Sequence, residues 1–125
     1  PPGKRWDLIH FGFGYHDRLR PGAPYAANLE KLIERLRKTG AILVWARTVP
    51  FTDTPAAGDQ VRKLNETADA VMARHNVKVD DLYSTVADSP DKYLCSDRIH
   101  YNSEGIRRQA GEAARVIAEA LQARK

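Results

Sequence analysis

Apolar residues along this chain fall into two alternating patterns: short unbroken runs, and longer segments in which they recur every three or four positions. The first run, Trp6 to Phe13, is bounded by Pro1-Pro2-Gly3 and Gly14. It reads as a strand buried on both faces, as parallel sheets require. From Pro24 to Lys38, Tyr25, Leu29, Leu32, Ile33 and Leu36 share one helical face, and Gly40 is the stop signal. Ala41 to Ala46 is a second apolar run, ended by Thr48-Val49-Pro50 and followed by a loop of Thr, Pro, Ala and Gly through Gly58. Asp59 to His75 returns to helical spacing with Val61, Leu64, Ala68, Val71 and Met72. Val77-Lys78-Val79, with Leu82 and Tyr83, reads as a third short strand. Ser103 is placed to cap a last helix with Ile106, Ala110, Ala114, Ile117 and Leu121 as its apolar stripe.

Strand, helix, strand, helix, strand, loop, helix predicts an α/β fold with a parallel sheet, because such crossovers return each strand in the same direction. The whole of residues 1–125 reads as one domain, without repeats or low-complexity linkers. The expected sheet is thin. Its first strand has the composition of an interior strand, so its edge needs cover from another chain, a partner or a further segment.

Charge changes this picture little. There are 20 Lys and Arg residues against 16 Asp and Glu, a formal charge of +4, and the basic positions are interleaved with acidic ones on helices. That is a solvated surface, with no basic and aromatic pattern for nucleic acid. No apolar run is long enough to span a bilayer. One cysteine, Cys95, excludes an internal disulfide and offers no metal framework, and the compartment stays open.

Candidate chemistry gathers at two places. Gly14-Tyr15-His16-Asp17 follows the first strand, where the carboxyl end of a parallel sheet builds ligand crevices. Asp97-Arg98-Ile99-His100 precedes the last helix and sets a carboxylate one turn from an imidazole. A catalytic histidine needs such an acid, preferably buried, to hold its Nδ1 proton and stabilise the imidazolium. The sheet is expected to bring both places to one rim. His10 reads as a core histidine, Arg47 as a salt-bridge partner, and Trp45 as core. Cys95 is close enough in sequence to His100 to serve as an alternative thiol nucleophile. The spacing of His10, His16, Asp17, Asp97 and His100 matches no metal motif, and no cofactor is expected.

Taken together, these motifs resemble the SGNH hydrolases, the GDSL-type esterases and lipases. Gly14-Tyr15-His16-Asp17 is similar to the family's Gly-x-Asn-Asp, with His16 in the asparagine slot, and Asp97-Arg98-Ile99-His100 matches its Asp-x-x-His. Trp6 to Phe11, Asn28-Leu29, Val44-Trp45-Ala46 and Thr48-Val49-Pro50 are similar to family members in order and spacing. The resemblance implies a three-layer α/β/α, flavodoxin-like parallel sheet, here reduced to about three strands. It implies His100 as general base, Asp97 as its orienting acid, and His16 as oxyanion donor, with Gly14 and Asp17 completing the binding motif. The substrate would be a small ester such as an acetyl ester.

The family's Gly-Asp-Ser nucleophile motif and its oxyanion-hole glycine motif are missing. Ser84, Ser89, Ser96 and Ser103 are the serines present, none in a Gly-Asp-Ser context. Because the family order is nucleophile first, the resemblance places the missing strand before Pro1 or on another chain. The competing expectation is a non-catalytic remnant that dimerises or binds a ligand through the crevice left open. Either way the expected partners are a small ester, a second copy or a complementing N-terminal segment, with neither nucleic acid nor membrane.

Overall fold

The computed structural model describes residues 3–124. A parallel three-stranded sheet in the order β1-β2-β3 is built from β1 (Leu8–Phe11), β2 (Ile42–Ala46) and β3 (Lys78–Asp80). The helices are α1 (Ala23–Arg37), α2 (Ala57–Arg74), the short α3 (Leu82–Val86) and α4 (Pro90–Tyr93), and the long α5 (Ser103–Ala123). Register pairs Leu8 with Ile42 and Phe11 with Trp45, then Trp45 with Val79.

Alternation along the strands assigns the two faces. Phe11, Leu43 and Trp45 face α1 and α2, where they meet Leu29, Ile33, Val61, Leu64, Ala68 and Met72 in the main core. Phe11 stands edge-on to Trp45 with ring centroids 5.3 Å apart, a favoured aromatic geometry. Val44, with Leu8 and Ile42, faces the opposite way, against Val116 and Ala120 of α5. The result is the three-layer α/β/α arrangement expected from the sequence.

Four expectations are corrected. The first strand is shorter than Trp6 to Phe13; only Phe11 within it is buried, and Trp6 and Phe13 on either side are exposed. Leu82 and Tyr83 enter α3 instead of extending β3, because Asp81 caps that helix by accepting Ser84 N at 3.2 Å and Ser84 Oγ at 2.6 Å. The cap of α5 is Asn102, whose side chain accepts Gly105 N at 3.0 Å, and Ser103 is the first helical residue.

The stripe of α5 is also turned by one position. Gly105, Val116 and Ala120 are buried while Ile106, Ala110 and Ala114 are exposed. Gly105 sets this rotation: a Cβ there would lie 2.8 Å from Tyr101 Cδ1 and 3.0 Å from Tyr93 Cβ, so the helix seats its bare backbone against those rings.

His10 and Asp80 add a polar contact on the α5 face of the sheet. His10 Nε2 donates to Asp80 Oδ2 at 2.7 Å across the intervening β2. Asp80 is fully buried, and its Oδ1 has no partner among the described residues. His10 is thus a satisfied strand histidine, and it is the one side-chain partner of Asp80 among the described residues.

Candidate active site

Both motifs stand on short segments held by side chains. After β1, Tyr15–Asp17 forms a single 3-10 turn, closed by Asp17 N donating to Gly14 O at 2.8 Å. Gly14 has φ −168°, outside the left-handed region that favours glycine. Space is what excludes a side chain: an added Cβ would lie 2.0 Å from Thr48 Oγ1 and 2.9 Å from Thr48 Cβ. Gly14→Ala is therefore expected to destabilise the fold by about 1–3 kcal/mol, as overpacking does. Thermal unfolding of Gly14→Ala alone and beside Thr48→Gly checks this, since removing the Thr48 side chain should restore most of the loss.

The Asp97 loop is closed at its base by an antiparallel bridge between Leu94 and Tyr101, with Cys95 N donating to His100 O at 2.7 Å. Arg98 takes the left-handed conformation, φ 63°, at the tip, which is uncommon for a residue with a side chain. That turn allows Asp97 to do two things at once. Its Oδ1 accepts the backbone N–H groups of Ile99 and His100, each at 2.9 Å, and its Oδ2 lies 2.5 Å from His100 Nδ1. The His100 ring, then the two backbone donors, hold the Asp97 carboxyl at about 2.

A carboxylate accepts only, so Nδ1 carries the proton and Nε2 is free to act as a base. Nε2 has no hydrogen-bond partner among the described residues. The acid is not buried as a catalytic acid was expected to be: the Asp97 side chain is 46% exposed and that of His100 78%.

His16 is exposed, with its ring edge-on to Tyr15 at 5.2 Å between centroids, and Asp17 is half-buried beside it. Neither ring of His16 and His100 contacts the other. The segment after β2 joins the two motifs. Phe51 meets the Tyr15 ring edge-on at 5.1 Å, and Thr52 N donates to Arg98 O at 3.0 Å. Tyr101 Oη donates to Pro50 O at 2.5 Å, and burial pushes that phenol's pKa up.

Beside this junction, a crevice of about 270 Å³ opens at the carboxyl ends of β1 and β2, lined by Phe13, Gly14, Arg47, Thr48, Leu82 and Gln109 among others. Of the sequence-derived site residues it takes in Gly14, while His16, Asp17, Asp97 and His100 lie outside its lining.

Other candidates have structural partners. Arg47 pairs with Asp69 and, at 3.2 Å, with Asp81. Asn65, buried on α2, accepts Thr48 N and donates to Thr48 O, both at 2.9 Å, which fastens the end of β2 to the helix. Ser84 is bound to Asp81. Cys95 is a free, exposed thiol. No three His, Cys, Asp or Glu side chains among the described residues are grouped to hold a metal ion, and no helix among them is long and apolar enough to cross a membrane.

Arg18, Asp53, Thr52 and Tyr101 were not legible as site residues. Their partners lie tens of positions away in the chain, and no local spacing reports such contacts.

Known proteins share this fold. The model of the GDSL-like Lipase/Acylhydrolase family matches residues 1–108. A lipolytic protein of the G-D-S-L family from Veillonella parvula is 26% identical and superposes with a TM-score of 0.73 over 89% of this chain and 63% of its own. The lipase/acylhydrolase from Enterococcus faecalis is 22% identical, with a TM-score of 0.76 over 89% of this chain and 60% of its own. A GDSL-like lipase from Bacteroides thetaiotaomicron is 16% identical, with a TM-score of 0.75 over 91% and 63%. The chain thus spans about 60% of the length of these solved structures. No curated protein matches it. The family match covers residues 1–108 of this chain: the chain belongs to the GDSL-like lipase/acylhydrolase family.

Proposed function

We propose that this chain supplies the base and oxyanion side of a serine ester hydrolase. The observation that carries the reading is the Asp97–His100 pair, in which Asp97 occupies Nδ1 and leaves Nε2 unpartnered among the described residues. His100 Nε2 removes the proton from a serine Oγ as that oxygen attacks the ester carbonyl carbon. The tetrahedral intermediate then collapses, the C–O bond to the alcohol breaks, and the leaving oxygen takes the proton from His100. A water molecule attacks the acyl-serine by the same route, which releases the acid and the free serine. His16, in the motif after β1, donates to the oxyanion while it exists. Such a donor acts on charge that develops only in the transition state.

The serine comes from outside these 125 residues. Supporting this, none of Ser84, Ser89, Ser96 or Ser103 hydrogen-bonds His100, and among the described residues β1 has a free outer edge flanked by exposed Trp6 and Phe13. The element carrying the nucleophile, from an upstream segment or a second chain, covers that edge. The substrate on this reading is a small ester with an acetyl-sized acyl group, as the family resemblance implies.

Labelling the active polypeptide with a fluorophosphonate probe, followed by peptide mass spectrometry, tests the assignment. The labelled serine is expected outside residues 1–125. A label on Ser84, Ser89, Ser96 or Ser103 would overturn it, as would absence of label with ester turnover indifferent to His100→Ala.

A further inference from the structure

The turn that carries His16 is too small to hold itself. It has three residues, none buried, and of its two closing backbone bonds the second, Arg18 N to Tyr15 O, is long at 3.4 Å. What fixes it are the side chains on either side of His16. Arg18 lays its guanidinium 4.4 Å from the Tyr15 ring centroid and 5.4 Å from that of Phe51, within reach of both ring faces. From there Arg18 Nη1 donates to both oxygens of Asp53 at 2.8 Å, and Tyr15 Oη reaches Asp53 Oδ2 at 3.4 Å.

Arg18 and Asp53 are largely withdrawn from solvent, at 21% and 14% side-chain exposure. This separates the pair from the open ion pairs on α2, such as Arg62 with Glu66, which are more than half exposed. The Arg18 hydrogen bond also holds the Asp53 carboxyl below the usual carboxylate range.

Asp53 belongs to the segment whose other side supports the Asp97 loop. Arg98 Nε donates to Thr52 Oγ1 at 2.7 Å, Thr52 N donates back to Arg98 O, and Arg98 also pairs with Asp91. One short strut, Pro50 to Asp53, is thus clasped on one flank by the residues bracketing His16 and on the other by Arg98, which follows Asp97.

We propose that Arg18 and Asp53 are positioning residues: their pair locks the His16 turn to the strut and so sets where the oxyanion donor stands relative to His100. The assignment rests on the hydrolase reading above. Its physical basis is that a donor works only when held within about 0.5 Å of its productive place, and a displacement of about 1 Å costs on the order of 10²-fold in rate.

The test compares Arg18→Gln, Asp53→Asn and the conservative Arg18→Lys in the active polypeptide, by steady-state kinetics and by NMR of the histidine side chains. Arg18→Gln is expected to lower kcat by about 10- to 100-fold with KM within about threefold, the signature of a contribution made in the transition state. It should move the His16 ring signals and leave those of His100 in place. Arg18→Lys should recover part of kcat, since it keeps the charge and loses the planar stack. His16 signals that stay fixed in Arg18→Gln would overturn the lock whatever the enzyme does. Moved His16 signals with unchanged kcat, in an enzyme that needs His100, would overturn its positioning role. Moved His16 signals in a protein whose turnover ignores His100→Ala would instead overturn the hydrolase reading beneath it.

Discussion

Replacing His100 with alanine is expected to reduce ester turnover by about 10⁴- to 10⁶-fold in kcat, the loss that follows removal of the general base from a serine triad. Steady-state kinetics on the active polypeptide measures it, and a loss below about tenfold would remove His100 from the chemistry. Asp97→Asn is the more instructive variant. Its amide can keep an oxygen on the backbone donors of Ile99 and His100, but an NH₂ group then faces Nδ1 where a carboxylate stood. The ring must turn to the other tautomer, with the proton on Nε2, and a protonated Nε2 cannot accept from serine. The expected loss is about 10³-fold, short of the ~10⁴ found for a buried acid, because water reaches this exposed pair.

The pH dependence follows from the same contact. Asp97 has its pKa lowered from 3.8 to about 2, so its favourable contribution is fully present above about pH 4. It is lost as pH falls through the folded value near 2. Between pH 4 and neutrality the acid limb of the rate profile should therefore carry no second proton from Asp97. A two-proton slope in that window would contradict this arrangement.

The second large effect is on stability. His10→Ala is expected to cost about 3 kcal/mol, because it leaves the Asp80 carboxylate buried with no partner; breaking such pairs costs roughly 3–5 kcal/mol. The lower end applies here. His10 is 23% exposed against 0% for Asp80, so water can enter where the imidazole was. Replacing both residues together, His10→Phe with Asp80→Leu, should restore most of the loss, since an apolar pair of similar volume needs no ionic partner. Urea unfolding of the single and double variants checks both statements. A single-variant change below 1 kcal/mol would show that the carboxylate finds another donor.

How far the sequence reached is clearest in the elements it misplaced. Helices α1 and α2 came out within a few residues of their periodicity because each packs an apolar face on the sheet, a relation written locally at every third or fourth position. The strand runs were equally visible. What a run cannot report is where pairing stops, and so β1 spans only Leu8–Phe11 while Trp6 and Phe13 of the same run are exposed outside it.

Helix α5 shows a different limit. Its most apolar line, through Ile106, Ala110 and Ala114, is not the one it buries, because the fit of Gly105 between Tyr93 and Tyr101 fixes the rotation. That constraint joins residues on a loop, a short helix and a long one, and no periodicity encodes it. In the same way, the Asp97–His100 contact was legible because its partners are three residues apart. The clasp of Arg18 on Asp53 spans 35 positions and becomes visible only when the chain is folded.

Asn65 gives the rim a further property. With its amide it both accepts from and donates to Thr48, which is what a neighbouring peptide group would do in a ladder. A helix residue thus imitates one rung of a strand. It satisfies both backbone groups of Thr48, two residues past the end of β2, where the strands no longer do so. The loop that begins there starts from a fixed point on α2, so converting this amide to a carboxylate, which can only accept, would leave the Thr48 carbonyl without its donor and loosen the start of the loop.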